Sequence, residues 1–288
     1  MIDFTQIAKT NSFRAYGGAN GVKKGIIFNG KPYMLKISSR NRKNEYSNSV
    51  ISEYLCSKIF KILGFDTQEV VLGKIIENDK EKLCVACEDF KEKGDYLYEF
   101  LSIKNSFTSE SSNGSGTELS EIIETIQNQK FCNTKEVLEF FWDMFIVDIY
   151  LGNFDRHNVN WGFLVNEEKN SKRIASIYDC GSCLYRQATD ENLKEFLSNR
   201  EKIEERIYIF PTSAIKVNKI KINMYDFLKT TNDENCIKSL NEVTKKIIEK
   251  ENEINRLIDT LPVSEIRKNF YKLMLKERKE KILLDCIK

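Results

Sequence analysis

Gly152-Asn153-Phe154-Asp155-Arg156-His157-Asn158-Val159-Asn160 holds the only histidine of the chain, inside an Asp-x-His-x-x-Asn cluster. The cluster follows a strongly apolar helical pattern and precedes a short strand pattern, Trp161 to Val165. A second strand pattern, Arg173 to Tyr178, ends on Asp179-Cys180-Gly181. Taken alone, such a polar loop could be a turn whose Asx side chains bond their own backbone. Asp179-x-Gly181 at the end of an apolar strand is an independent second half and favours chemistry. A carboxylate and an amide, followed after the next strand by another carboxylate, suits phosphoryl transfer. Asp155 is then expected to accept the proton of an attacking hydroxyl, and Asn160 and Asp179 to hold magnesium.

Upstream of the cluster, Leu138, Phe141, Trp142, Phe145, Ile146 and Ile149 recur at spacings of three and four, which predicts a buried helix capped by Thr134. Such a helix delivers Asp155 to a fixed place, as chemistry dominated by positioning requires. His157 is expected to brace the loop. With no second histidine it cannot build a His-rich metal centre.

The N-terminal part reads as a glycine-rich turn and a hairpin. Gly17-Gly18-Ala19-Asn20-Gly21 leads into Gly25 to Phe28, Asn29-Gly30 is a two-residue hairpin signal, and Tyr33 to Ile37 returns. The glycines fit neither a Walker A loop nor a dinucleotide fingerprint, so an ordinary turn and a phosphate cover are both open. Lys36 is likewise either a solvated edge lysine or a phosphate ligand. A helix from Asn48 or Ser49 to Leu63, closed by Gly64, carries Glu53 near its first turns. Glycine loop, strand lysine and helix glutamate occur here in the order that kinases use. Strands Gln68 to Ile76 and Leu83 to Cys87 follow, and Glu88-Asp89-Phe90 leads out of the sheet as a hinge.

Beyond the hinge, Tyr96, Leu97, Phe100 and Leu101 mark a short helix, and 106–120, rich in Ser, Gly and Asn, a surface loop. The polar segment 184–206 suits an activation or substrate segment. Two long helices, Ile237 to Leu261 and Val263 to Cys286, meet at Pro262, and the last bears a basic face of Lys272, Lys276, Arg278, Lys279 and Lys281.

Composition bounds the rest. Of 288 residues, 41% are hydrophobic and 31% charged with a net charge of +2, which suits a soluble globular protein and gives no expectation of a nucleic-acid partner. No apolar run reaches the roughly 18 residues of a membrane span, and neither a membrane association nor a secretory signal is expected. The eight cysteines read as reduced thiols of a cytoplasmic protein. Cys84/Cys87 and Cys180/Cys183 have the spacing of zinc ligands, but the first pair sits on a strand and the second straddles Asp179, so buried thiols are the expectation.

The chain resembles the HipA-like serine/threonine kinases. The resemblance rests on the glycine segment, Tyr33-Met34-Leu35-Lys36, Ser52-Glu53-Tyr54, Phe141 to Phe145, Leu151 to Asn158 and Asp179-Cys180-Gly181-Ser182-Cys183-Leu184-Tyr185. It implies an α+β, two-lobed protein-kinase-like fold: a small β-rich N-lobe at 1–90, a larger helical C-lobe at 91–288, and ATP in the cleft. Asp155, braced by His157, would be the base, and Asn160 and Asp179 would bind magnesium. Gly17, Gly18, Ala19, Asn20 and Gly21 would cover phosphates. Lys36, held by Glu53, would contact the α- or β-phosphate, and Glu88, Asp89 and Phe90 would bind adenine. The substrate would be a Ser or Thr hydroxyl of a protein, the kinase itself included. HipA has an additional N-terminal subdomain that works with an antitoxin. This chain begins almost at the glycine loop, so an antitoxin partner is not carried over. Asp-Arg-His-Asn-x-Asn is also similar to the catalytic loop of phosphoinositide kinases, which makes lipid phosphorylation an alternative; a silent nucleotide-binding module is another.

Overall fold

The computed structural model describes residues 1–10, 12–16, 23–38, 47–107 and 116–287; the glycine segment 17–21 lies outside them. The N-terminal lobe is a six-stranded sheet flanked by two helices. Its elements are β1 (Ile2–Asp3), α1 (Thr5–Thr10), β2 (Ser12–Tyr16), β3 (Lys23–Phe28), β4 (Lys31–Ile37), α2 (Ser49–Ile62), β5 (Val70–Glu77) and β6 (Lys80–Glu88). The strand order is β1-β5-β6-β4-β3-β2, antiparallel except that β1 runs parallel to β5. Asn29 (φ 50°) and Gly30 (φ 75°) are both left-handed, as a two-residue hairpin turn needs, and the register they set puts Lys36 opposite Lys23 on β3 and Val85 on β6. Along β4 the side chains alternate: Tyr33, Leu35 and Ile37 are buried in a core with Phe4, Ile26 and Ile75. Lys36 therefore points to the other face, toward α2.

Helix α2 ends as its sequence indicates, at Leu63 and a left-handed Gly64 (φ 90°). Ile51, Leu55 and Ile59 join the core of the helical lobe, so α2 is shared by both lobes. Glu53 is only 1% exposed, which for a carboxylate demands partners.

After Glu88 the chain enters β7 (Asp95–Glu99) and α3 (Phe100–Phe107), then α4 (Leu119–Asn128), α5 (Thr134–Leu151), β8 (Gly162–Asn166) and β9 (Ser171–Ile174). The helix expected to begin near Tyr96 starts only at Phe100. Tyr96 and Tyr98 are exposed in alternation on β7, which pairs antiparallel with β8 (Leu97 opposite Leu164), and strand pairing outweighs the apolar spacing of this short run. The strand expected over Arg173–Tyr178 ends at Ile174; Ile177 instead makes a single parallel bridge to Thr67. Segment 184–206, read from its polarity as an activation or substrate segment, forms most of two helices, α6 (Asp190–Ser198), opened by a Thr189–Asn192 capping box, and α7 (Arg200–Tyr208). The remainder is β10 (Lys216–Val217), β11 (Ile220–Lys221), α8 (Met224–Thr230), α9 (Glu234–Asp259) and α10 (Glu265–Arg278), followed by a π-helical turn (Lys279–Leu283) and α11 (Leu284–Cys286). The basic face expected on the last helix is largely neutralised: Lys272 pairs with Asp259, Lys279 with Glu251 and Lys281 with Glu277, while Arg278 is buried.

Helix α5 organises the helical lobe. Asn133, and not the expected Thr134, caps it by accepting from the backbone amides of Lys135 and Glu136, and every residue from Phe141 to Leu151 is buried. It stops at Gly152 (φ 65°, ψ 41°), the first residue of the polar cluster. Arg278 from α10 lies directly over Gly152 and donates to the Ile149 carbonyl at 3.2 Å, satisfying one of the free acceptors of the helix end. A Cβ at Gly152 would meet that guanidinium at 3.2 Å. Gly152→Ala is therefore expected to destabilise the protein by about 1–2 kcal/mol, the cost of a left-handed L-residue, plus whatever displacing Arg278 adds. Urea unfolding followed by circular dichroism measures the shift.

Candidate active site

Four segments converge between the lobes: β4 brings Lys36, α2 brings Glu53, and the loops before β8 and after β9 bring Asp155 to Asn160 and Asp179 to Ser182. The Lys36 ammonium donates to Glu53 Oε2 at 2.6 Å and to Asp179 Oδ1 at 3.0 Å. Burial works against its charge, but Glu53 and Asp179 outweigh burial and hold its pKa well above the ordinary lysine value. The reciprocal effect appears at Asp179: Lys36, opposed by burial, holds the carboxyl below its ordinary value. Glu53 uses its other oxygen, Oε1, to accept from the Cys180 backbone amide at 3.0 Å. One buried carboxylate thus ties the N-lobe lysine to the strand end that carries Asp179. Asp179 itself is left-handed (φ 56°), a conformation for which aspartate pays less than most residues. Gly181 follows because a Cβ there would come within 3.0 Å of Glu53 Oε2.

The loop after α5 is built around Arg156, which is 6% exposed. Its Nε donates to Asp148 Oδ2 at 2.8 Å and its Nη2 to Asp148 Oδ1 at 3.2 Å, while Nη1 donates to the carbonyls of Asn160 at 3.0 Å and Tyr178 at 2.7 Å. Asn153 donates to Asp148 Oδ1 at 2.8 Å and accepts from the Asp155 amide at 3.1 Å. Asp155 is consequently fixed at its backbone while its carboxylate, 41% exposed, faces the cleft. Ser182 donates its hydroxyl to Asp155 Oδ2 at 3.2 Å. His157 Nε2 stands 3.7 Å from Asp155 Oδ1, beyond hydrogen-bond range, and its backbone amide donates to the Asp155 carbonyl. Asn160 is buried and donates its Nδ2 to the Asp155 carbonyl at 2.8 Å, which leaves its amide oxygen as a neutral, hard acceptor.

Of the residues singled out in the sequence, Lys36, Glu53, Asp155 and Asp179 line one cleft, together with Lys23, Ser182 and Arg186. Asn160 and His157 adjoin it through Asp155. Glu88, Asp89 and Phe90 lie at the lobe junction. The Glu88 side chain is engaged by Lys31 and Tyr33, its carbonyl by Gln68 Nε2 at 2.9 Å, and the Asp89 amide by the Pro32 carbonyl. Phe90 stacks on Tyr178 with ring centroids 5.6 Å apart.

Among the described residues no three or more His, Cys, Asp or Glu side chains are grouped so as to hold a metal ion by themselves. Asn160 and Asp179 offer oxygen donors of the kind magnesium takes; magnesium characteristically uses one or two protein oxygens and completes its shell from phosphates and water. Cys84, Cys87, Cys180 and Cys183 are fully buried, and burial pushes their thiols up, Cys84 to about 12.

Sequence reasoning passed over Arg156, Asp148 and Asn153. A signal existed: Asp148 interrupts the apolar run Met144 to Leu151, and a buried carboxylate requires a cation.

Residues 17–258 match the family described as HipA-like C-terminal domain. The chain belongs to this family. It is 42% identical over 287 residues to the serine/threonine-protein kinase CtkA of Helicobacter pylori strain J99, covering 98% of this chain and 86% of that protein. The crystal structure of a Helicobacter pylori proinflammatory kinase CtkA superposes with a TM-score of 0.90 at 41% identity, covering 99% of this chain and 96% of that one. HipA from a Shewanella oneidensis MR-1 toxin–antitoxin complex with HipB and operator DNA shares the fold more loosely, at TM-score 0.58 and 14% identity over 93% of this chain and 66% of that chain. The sequence-based recognition and the two-lobed, kinase-like fold class are thereby borne out, and the chain is a kinase of the HipA/CtkA type.

Two outcomes test the site's construction. Arg156→Leu strands the Asp148 carboxylate in the core and should destabilise the protein by about 3–5 kcal/mol in urea unfolding. Lys36→Met should move the titration of Asp179 upward, read by carboxyl-carbon NMR. In the native protein the Asp179 contribution to stability is present above the ordinary aspartate value of 3.8 and is lost as pH falls through the lower folded value. An unchanged Asp179 titration in Lys36→Met would mean that the lysine does not hold its charge.

Proposed function

We propose that the protein transfers the γ-phosphoryl group of ATP, with magnesium, to Ser or Thr hydroxyls of a protein substrate, itself included. The observation that carries this is the linked set Lys36–Glu53–Asp179 facing Asp155 across one cleft. The likeness to a serine/threonine-protein kinase over 98% of the chain supports it.

Each residue then has a distinct task. Lys36, held by Glu53, meets the α- or β-phosphate oxygens and carries its charge throughout the physiological range. Asp155 aligns the acceptor hydroxyl and takes its proton as the oxygen–phosphorus bond forms and ADP departs. The Ser182 hydroxyl now on Asp155 Oδ2 marks the hydrogen-bonding position an incoming hydroxyl would share. His157 lies beside that carboxylate, and its backbone amide, donating to the Asp155 carbonyl, helps to close the loop. Asn160 and Asp179 would hold magnesium, which supplies neutralisation of the charge on the triphosphate. Gly17, Gly18, Ala19, Asn20 and Gly21 are assigned to the phosphates, and Glu88, Asp89 and Phe90 to adenine, by resemblance to the family. The eight cysteines are free thiols, which supports a reducing, cytoplasmic setting. No helix among the described residues is long and apolar enough to cross a membrane.

Separation of roles among three polar residues tests the mechanism. Asp155→Ala should bind Mg-ATP normally and lose about 10²–10⁴-fold in transfer rate, because the base acts on the acceptor and not on the nucleotide. Asp179→Ala should lose transfer and also the magnesium dependence of ATP binding, with Asn160→Ala between the two, since a neutral ligand gives up less Coulomb energy. Calorimetric titration with ATP, with and without magnesium, reads the binding. Radiolabelled ATP offered to a protein and to a phosphoinositide reads the acceptor. Full transfer by Asp155→Ala, or label on the lipid alone, would sink the proposal.

A further inference from the structure

Next to the catalytic loop a cavity of about 450 Å³ opens between Phe154, Tyr185, Arg186, Phe196, Arg206 and Phe210. Its place relative to the chemistry is fixed twice over. Phe154 immediately precedes Asp155, and Arg186 lines both this cavity and the cleft that holds Lys36, Asp155 and Asp179. The two spaces therefore share a wall.

The chemistry of the lining is unusual for this molecule. Four other arginines are paired with carboxylates: Arg156 with Asp148, Arg173 with Asp95, Arg200 with Glu277 and Arg267 with Asp190. Arg186 and Arg206 have no ion pair among the described residues, and the Nε of each is buried without a hydrogen-bond partner. Aromatic rings hold them in place instead. The Arg206 guanidinium carbon lies 4.7 Å from the Phe196 ring centroid, 5.3 Å from Tyr185 and 5.4 Å from Phe210, and that of Arg186 lies 6.0 Å from Phe154. Rings steady a cation but offer it no acceptor in the ring plane. No Asp or Glu lines the cavity. Two cations with unspent donors around a space of side-chain size are complementary to one anion. An apolar occupant would leave both guanidinium charges without a counter-ion, which is costly.

We propose that this cavity binds an acidic side chain, Asp or Glu, of the protein substrate, placed close in sequence to the acceptor Ser or Thr. The inference rests on the kinase reading above. A carboxylate brings acceptors that can meet both arginines, and the wall shared with the cleft limits its distance from the hydroxyl on Asp155. About three residues of extended chain, roughly 10 Å, bridge such a span. Arg186 and Arg206 would then select the substrate without taking part in phosphoryl transfer.

The test uses the full chain and synthetic peptides with one acceptor serine. A single Glu is moved through the three positions on either side, each peptide having a Gln counterpart, and kcat/KM is measured for every pair. One or two positions should favour Glu over Gln by about tenfold, the worth of a charge-assisted hydrogen bond. In Arg206→Gln and in Arg186→Gln, measured separately, that ratio should fall to within about twofold. A purely structural role would slow both peptides of a pair alike and leave the ratio intact. Lack of a Glu preference at every position in the wild-type protein overturns the inference, as does a preference that survives in both variants. If phosphoserine at the favoured position exceeds Glu by more than tenfold, the site reads phosphate and the carboxylate assignment is wrong. Failure of the kinase reading looks different: no peptide accepts phosphate and the protein gains no mass with Mg-ATP.

Discussion

The Arg156 guanidinium binds three separate stretches of chain into one object. Through Asp148 it fixes the end of α5, through the Asn160 carbonyl it closes the loop that carries Asp155, and through the Tyr178 carbonyl it holds the strand end before Asp179. Its Nη2 also reaches Cys180 Sγ at 3.5 Å. Burial disfavours this cation, and the Asp148 carboxylate more than compensates, raising its pKa well above the ordinary arginine value. A buried pair of this kind is weak evidence for net stability, since apolar replacements of both partners can do as well. What it supplies is registry: five donors in a rigid fork can be satisfied in one arrangement of the surrounding backbone.

Glu53 plays the corresponding part between the lobes. It sits on a helix whose apolar face belongs to the helical lobe, yet it grips a lysine of the sheet and the amide after Asp179. Movement of the sheet relative to α2 would separate Lys36 from Glu53 and Asp179 together, and so would be felt at the Asp179 strand end. Gly181 and the left-handed Asp179 are consequences of that close approach. The candidate site is thus held by two buried charges, one within the helical lobe and one at the lobe boundary, each fully committed to named partners.

How much of this was legible beforehand follows from the range of the forces involved. Asn29-Gly30 announces its hairpin because the turn's backbone requirement is local, and α5 and α2 announce themselves because their apolar spacing is long and regular. The Tyr96 to Leu101 run does not, since a few apolar residues fit both periods and only pairing with β8 decides. Helices α6 and α7 were hidden by their charge: few of their residues are buried, and their starts are set by caps at Thr189 and Asn199. Asp148 was visible as an anomaly in an apolar run, but nothing in sequence order selects Arg156 over the other cations.

The amino-acid sequence by itself determined the chemical inventory and its local frames. A loop carboxylate, an amide and a strand-end carboxylate follow one another at kinase-like spacing, and a strand lysine and a helix glutamate precede them; this was enough to recognise the family and its two-lobed fold. Only the tertiary structure decided which charges meet. Lys36 and Asp179 are 143 positions apart in the chain and 3.0 Å apart in space, and Arg186 and Arg206 share a cavity with none of the carboxylates that surround them in sequence. The physical reason is that backbone propensity and hydrophobic periodicity act over a few residues, whereas the pairing of buried charges is set by how whole elements pack. Packing is a property of the assembled core and has no counterpart in any short stretch of the chain.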